Sequence, residues 1–381
     1  MKRSAIIFLL LIVFRTEAQT SVLKFADSLY AIGSYSKAIE NYKLHKTPKD
    51  VYNKIAKSYS AIGNYDEALK NYQAHMSANP NDVLTAYEYA ILLSQTNKNK
   101  EASVIFKDLV NTNSKNPNYH FQLGLVLEKL KDSTAIESYL STFQLDSTHQ
   151  KSIYKIAKHY LQNGKFQIVE HYTNIGLKSY ENNVELISLK AQNYFARKNF
   201  KDAAVWFQKL LELGESLIFV HERLSLCYYY LYEYEKAIQQ RLLALELNPN
   251  DADALFDIGT YYYEISDFAN AEKYIKDALA LMHNPLDAQY SKLAVVLNSQ
   301  KKYNEAIDAL KMAIKENPDN INAEFMLVIT KDAYYADIDS RIKTYEDFKR
   351  RFSSTNYSEY VDNRISELKK EKFIKEGAKN D

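Results

Sequence analysis

Between residues 252 and 285 the apolar side chains keep a fixed rhythm. Leu255, Ile258, Gly259 and Tyr262 stand at i, i+3, i+4 and i+7, so they share one face of a helix. Ser266-Asp267 offers a start for a second helix, with Phe268 just inside it, and Ala271, Ile275 and Ala278 continue its apolar face. Asn284-Pro285 closes the segment, because proline lacks an amide hydrogen and disfavours a helical residue before it. The pattern predicts two helices packed back to back. Small Gly259 and Ala271 let the backbones approach, and the Tyr262 ring is left to fill space against a neighbouring hairpin.

The same rhythm recurs along the chain. All six prolines fall at comparable points, Pro48 alone and five after asparagine, at Pro80, Pro117, Pro249, Pro285 and Pro318. Successive gaps are 32, 37, 132, 36 and 33 residues, and 132 is four times 33. Each Asn-Pro pair is expected to stop a helix, and a stop at this spacing marks a stack of helical hairpins. Strong copies are Ile55-Ala56, Tyr59, Gly63, Tyr65, Ala68, Tyr72 and Pro80, and Leu293-Ala294, Leu297, Tyr303, Ala306, Leu310, Ala313 and Pro318. A third comprises Leu224-Ser225, Tyr228, Tyr234, Ala237, Ala244 and Pro249, departing only where Arg241 replaces a bulky apolar residue.

Weaker copies fill residues 21–48, 83–117, 118–149, 150–182 and 184–216. They keep pairs such as Tyr89-Ala90, Leu123-Gly124 and Ile156-Ala157, while Val169 and Thr173 depart. The aliphatic-small pair and aromatic, the turn, the second small residue and the closing proline together resemble the tetratricopeptide repeat. The resemblance covers roughly residues 20–320 as about nine units. It implies an all-α, right-handed superhelical solenoid of nine to ten hairpins with one concave groove. Residues 321–381 read as a degenerate further unit, a capping helix and a short tail. Tyr357, Val361, Ile365 and Leu368 form the cap's apolar stripe, with a partner-binding amphipathic helix as the alternative.

Composition narrows the class. The 381 residues include only 8 glycines and 6 prolines, which suits a nearly all-helical chain, and 32 tyrosines with 17 phenylalanines and one tryptophan. Residues 1–18 read as an export signal: Lys2 and Arg3, ten apolar residues from Ala5 to Phe14, then Thr16-Glu17-Ala18. That run is too short to span a bilayer. Without those residues, 46 basic face 47 acidic side chains, which gives no electrostatic footprint for nucleic acid. The lone Cys227 forms no internal disulfide, and its neighbourhood marks it as a small buried hydrophobe. A bacterial periplasm or cell surface is the expected location.

Motifs for chemistry are missing. The eight histidines make no H-E-x-x-H pair, and neither a nucleophile elbow nor a glycine-rich phosphate loop occurs. No catalysis, metal or cofactor is expected.

The family's groove positions, carried onto this chain, are Tyr154, Lys158 and Leu161; Ser188, Gln192 and Phe195; Glu222, Leu226 and Tyr229; and Phe256, Thr260 and Tyr263. Tyr230 is adjacent. The resemblance thus implies an aromatic strip with few charges, with Tyr154, Phe195, Tyr229, Tyr230, Phe256 and Tyr263 as candidate partner-binding residues. The same positions in the early units lack the set with which chaperone adaptors clamp a C-terminal carboxylate. The expected function is an exported scaffold for an extended peptide or partner protein within an envelope complex. The alternative is glycan capture, against which the only tryptophan, Trp206, falls on a second helix.

Overall fold

The computed structural model describes residues 22–282 and 286–377, and every regular element among them is helical. The expected export signal and the Asn284-Pro285 stop lie outside the described residues. The chain divides into two compact units, residues 1–189 and 190–381.

In the first unit, helices pair in sequence: α1 (22–31) with α2 (Tyr35–Lys43), α3 (Tyr52–Ala61) with α4 (Tyr65–Ala78), and α5 (Val83–Gln95) with α6 (Asn99–Thr112). Then come α7 (Pro117–Lys129) with α8 (Ala135–Leu145), and α9 (Gln150–Gln162) with α10 (Phe166–Ser179). Helix α11 (Val184–Ala196) carries the junction between the units and is followed by α12 (Phe200–Glu212). The second unit continues with α13 (Ile218–Tyr230) and α14 (Tyr234–Leu247), α15 (Ala252–Glu264) and α16 (Phe268–Leu281), and α17 (Asp287–Ser299) and α18 (Tyr303–Glu316). Helices α19 (Ile321–Tyr334), α20 (Ile338–Arg351) and α21 (Ser358–Gly377) complete it.

One backbone device makes the hairpins alike. Two residues past the end of each first helix from α1 to α17, the backbone turns left-handed. Gly33, Gly63 and Gly164 do so at φ of 78°, 76° and 67°, while Asn97, Lys131, Lys198, Tyr232, Ser266 and Lys301 take φ between 57° and 63°. The following amide then reaches back to the last turn, as Asp267 N–H donates to the Tyr262 carbonyl at 2.9 Å. This capping satisfies carbonyls that a helix end would otherwise leave bare.

Small residues set the spacing within a hairpin. A Cβ added to Gly259 would sit 2.7 Å from Ile275 Cγ1 and 3.1 Å from the Ala271 carbonyl oxygen. At Gly124 it would meet the Tyr139 ring at 2.6 Å. The departures Val169 and Thr173 are fully buried, and the Thr173 hydroxyl is satisfied by the Val169 carbonyl at 2.9 Å.

Asparagine-proline does not always stop a helix. Asn79, Asn248 and Asn317 follow the last residues of α4, α14 and α18. Pro117, however, is the first residue of α7, and the Asn116 side chain accepts the Asn118 amide at 3.0 Å. A first-turn proline loses no hydrogen bond, since that amide has no helical partner. After α18, the stripe of Tyr357, Val361, Ile365 and Leu368 packs with Phe325, Val328, Ile342, Tyr345 and Phe348 in one cluster. No helix among the described residues is long and apolar enough to cross a membrane.

Candidate partner-binding face

Of the six aromatic candidates, Tyr154 belongs to the first unit. It is half-buried on α9, packs against Ala157, Val169 and Leu189, and carries Lys158 Nζ 5.6 Å from its ring centre. The other five lie in the second unit.

There the rings form a connected row. Phe195 meets Phe200 edge-on at 5.6 Å, and Phe200 stacks on Tyr230 at 4.3 Å with the planes 13° apart. Tyr230 touches Tyr229 at 5.5 Å, and Tyr229 stacks on Tyr261 of the next hairpin at 4.9 Å. Tyr230 is 51% exposed, whereas Phe195 and Tyr229 are half-buried. Phe256 and Tyr263 also lie on α15, and both pack partly against the core that holds Ala271, Ile275 and Leu293. The structure therefore joins Phe195, Tyr229 and Tyr230 through Phe200, and reaches α15 through Tyr261. Neither linking ring was among the sequence candidates. Phe200 stands in the repeat's turn-aromatic position, while Tyr261 has no motif role.

The face is not poor in charge, contrary to expectation. Arg241, the one residue that broke the third repeat copy, is only 6% exposed. Its guanidinium lies 3.1 Å from Glu222, 3.0 Å from Asp257 and 4.0 Å from Asp251. Asp251 also caps α15, accepting the Ala254 amide at 2.9 Å. Sequence reasoning passed over this centre because its members come from α13, α14 and α15, two adjacent hairpins. The signal available was a charge where packing wanted a hydrophobe.

Burial pushes the Asp257 carboxyl up to about 6, with Arg241 opposing and Asp253 and Asp251 adding to the rise. Burial likewise raises the Tyr229 hydroxyl, aided by Glu264, Tyr234, Tyr230 and Asp257. Glu264 lies 3.8 Å from Lys292. Lys292 is itself lowered by burial and sits 4.1 Å from the Tyr263 ring centre. Cys227 is fully buried, and burial pushes its thiol up to about 12. Trp206 on α12 has Lys190 4.2 Å from its ring centre.

Such a face offers ring surfaces, carboxylates and hydroxyls.

Two tetratricopeptide repeat profiles match this chain, over residues 61–123 and 256–321. Superkiller protein 3 of Schizosaccharomyces pombe is 24% identical over 248 residues, 60% of this chain. The chain spans 18% of that relative's length. Among solved structures, MamA is 18% identical over 45% of this chain and 94% of its own, with a TM-score of 0.42. YrrB, described as a TPR protein with an unusual peptide-binding site, is 16% identical over 57% of this chain and 95% of its own, at 0.36. Yeast Tom70 is 15% identical over 94% of this chain and 97% of its own, at 0.37. The profile matches support the tetratricopeptide repeat family and, with it, protein–protein interaction; no enzymatic family is indicated.

Proposed function

We propose that this protein is a non-catalytic interaction scaffold, exported to the periplasm or surface of a bacterial envelope. It holds an extended peptide or partner protein on the aromatic face of its second unit. The observation that carries this reading is the row from Phe195 through Tyr230 and Tyr229 to Tyr261, which leaves Tyr230 half-exposed. Rigid aromatic rings give large contact area at small entropic cost and dominate binding hot spots. Partially exposed rings at successive hairpins give an extended chain successive anchors.

Export rests on residues 1–18 and their signal-peptide pattern. N-terminal sequencing of the protein purified from whole cells is expected to begin at Gln19, and an intact Met1 rejects a cleaved export signal. For the face itself, affinity capture from envelope extract is compared between the natural chain and Tyr229→Ala/Phe256→Ala/Tyr263→Ala. The triple variant is expected to lose the captured partner while keeping its helical circular dichroism. An unchanged set of captured proteins rejects this face as the binding site.

A further inference from the structure

The first unit holds a cavity of its own, about 220 Å³ in volume. Three consecutive helices line it, with Glu128 from α7, Tyr139 from α8, and Lys155, Lys158 and Gln162 from α9. Sites for whole small molecules run to about 300–1,000 Å³, and a water claims about 30 Å³. This space therefore suits one side chain or one chain end.

One wall of the cavity is fixed. The Tyr139 ring is 4% exposed and lies against Gly124, where an added Cβ would meet it at 2.6 Å. Its hydroxyl donates to Glu128 Oε2. Lys155 Nζ donates to both Glu128 oxygens, at 3.0 and 2.8 Å. Burial alone would raise the Glu128 carboxyl, yet the bonds from Lys155 and Tyr139 and the charges of Lys155 and Lys158 hold it below its usual value. Glu128 is thus ionised, and Lys155 is its counter-charge.

The opposite holds for the rim. Lys158 enters no ion pair among the described residues, and its Nζ stands 5.6 Å from the Tyr154 ring centre. The Gln162 carboxamide makes no hydrogen bond among the described residues. Both side chains are exposed, so their donors are open to an incoming group. Two lysines against one glutamate leave the cavity with a single surplus positive charge. A carboxylate has acceptors only, which matches an ammonium and an amide N–H together. A basic side chain meets like charge here, and a neutral one leaves Lys158 unanswered.

We propose that this cavity takes one carboxylate of a polypeptide partner, held by Lys158 and Gln162 against the wall of Lys155 and Glu128. An acidic side chain and a chain end both carry that group. The cavity lies wholly in the first unit, so its occupancy does not depend on the aromatic face of the second.

The test uses the full chain and fluorescein-labelled dodecapeptides of four Glu-Gly-Ser, Gln-Gly-Ser or Lys-Gly-Ser units, each with an amidated C terminus. A second glutamine peptide ends in a free carboxylate. Fluorescence anisotropy is expected to show the glutamate peptide binding roughly fivefold tighter than the amidated glutamine peptide, with the lysine peptide weakest. The preference should shrink as salt is added. Lys158→Gln and Lys158→Gln/Gln162→Ala are expected to remove most of it, and circular dichroism checks that both variants stay helical. A free-ended glutamine peptide that gains as much as the glutamate peptide assigns the carboxylate to a chain end; a gain confined to the glutamate peptide assigns it to an acidic side chain. Equal or absent binding of the four peptides, or a preference that survives Lys158→Gln, overturns the proposal. Tyr229→Ala/Phe256→Ala/Tyr263→Ala is expected to keep the glutamate preference. Its loss in that variant overturns the first-unit site and leaves the aromatic face standing, whereas its retention says nothing against either.

Discussion

Replacing Arg241 by methionine restores the bulky apolar residue that the repeat expects, yet it is predicted to destabilise the protein at neutral pH. The guanidinium is the shared counter-charge of Glu222, Asp257 and Asp251 at 3.1, 3.0 and 4.0 Å. Removing one partner of a buried ion pair typically costs about 3–5 kcal/mol, because the remaining charges are left uncompensated. Glu222 and Asp257 are each about one-third exposed, so solvent screens part of that loss. Methionine also gains apolar burial. We therefore expect a net loss of about 2 kcal/mol at pH 7.5, or roughly 1 M in urea midpoint.

The loss must shrink on acidification. Asp257 already holds its proton up to about 6, against 3.8 for an ordinary aspartate, so the folded state binds that proton more tightly than the unfolded chain. Its contribution to stability is full below about 4 and disappears as pH rises through about 6. Without Arg241 the carboxyl rises further, and at pH 5 the protonated group no longer lacks a counter-charge. The assay is urea unfolding followed by the fluorescence of Trp206, the single tryptophan, which lies on α12 in the same unit. Arg241→Met/Asp257→Asn is expected to recover at least half the deficit at pH 7.5. A midpoint equal to that of the natural chain at pH 7.5, or a deficit unchanged at pH 5, refutes the reasoning.

Gly259→Ala places a methyl 3.1 Å from both the Ala271 carbonyl oxygen and the Ile275 amide nitrogen. Because backbone cannot yield, overpacking of about 1–3 kcal/mol should exceed the gain in helix propensity of about 1 kcal/mol, lowering the urea midpoint. Tyr232 holds φ 62° and is 78% exposed, so Tyr232→Gly is expected to stabilise by roughly 1 kcal/mol; an unchanged thermal midpoint would show that the turn is not strained. Cys227 should react with a thiol reagent at pH 8 only as fast as the protein opens. Prompt labelling of the native protein would contradict the burial that raises its thiol to about 12.

The linear order of residues determined the hairpins. Apolar spacing placed one face on each helix, and small residues such as Gly259 and Gly124 marked where backbones meet. These are local matters, governed by helix periodicity and by what fits within one hairpin. Even here Asn116-Pro117 was ambiguous, since proline suits the start of a helix as well as the interval after one. The turn at Tyr232 was legible only through its place in the repeat, because aromatic side chains do not ordinarily favour a left-handed backbone.

Only the tertiary structure decided how the candidate face is assembled. Spacing along α13 put Glu222 and Tyr229 on one face, but it could not say what stands opposite them. Arg241 reads in sequence as a flaw in a packing motif; in space it is the counter-charge for carboxylates drawn from α13 and α15. Likewise Tyr261 becomes the bridge between hairpins through its stack on Tyr229. The reason is geometric. A helix fixes the angle at which each side chain leaves its axis, whereas partners across hairpins depend on how one hairpin seats against the next, to within the few ångströms over which ion pairs and ring stacks act.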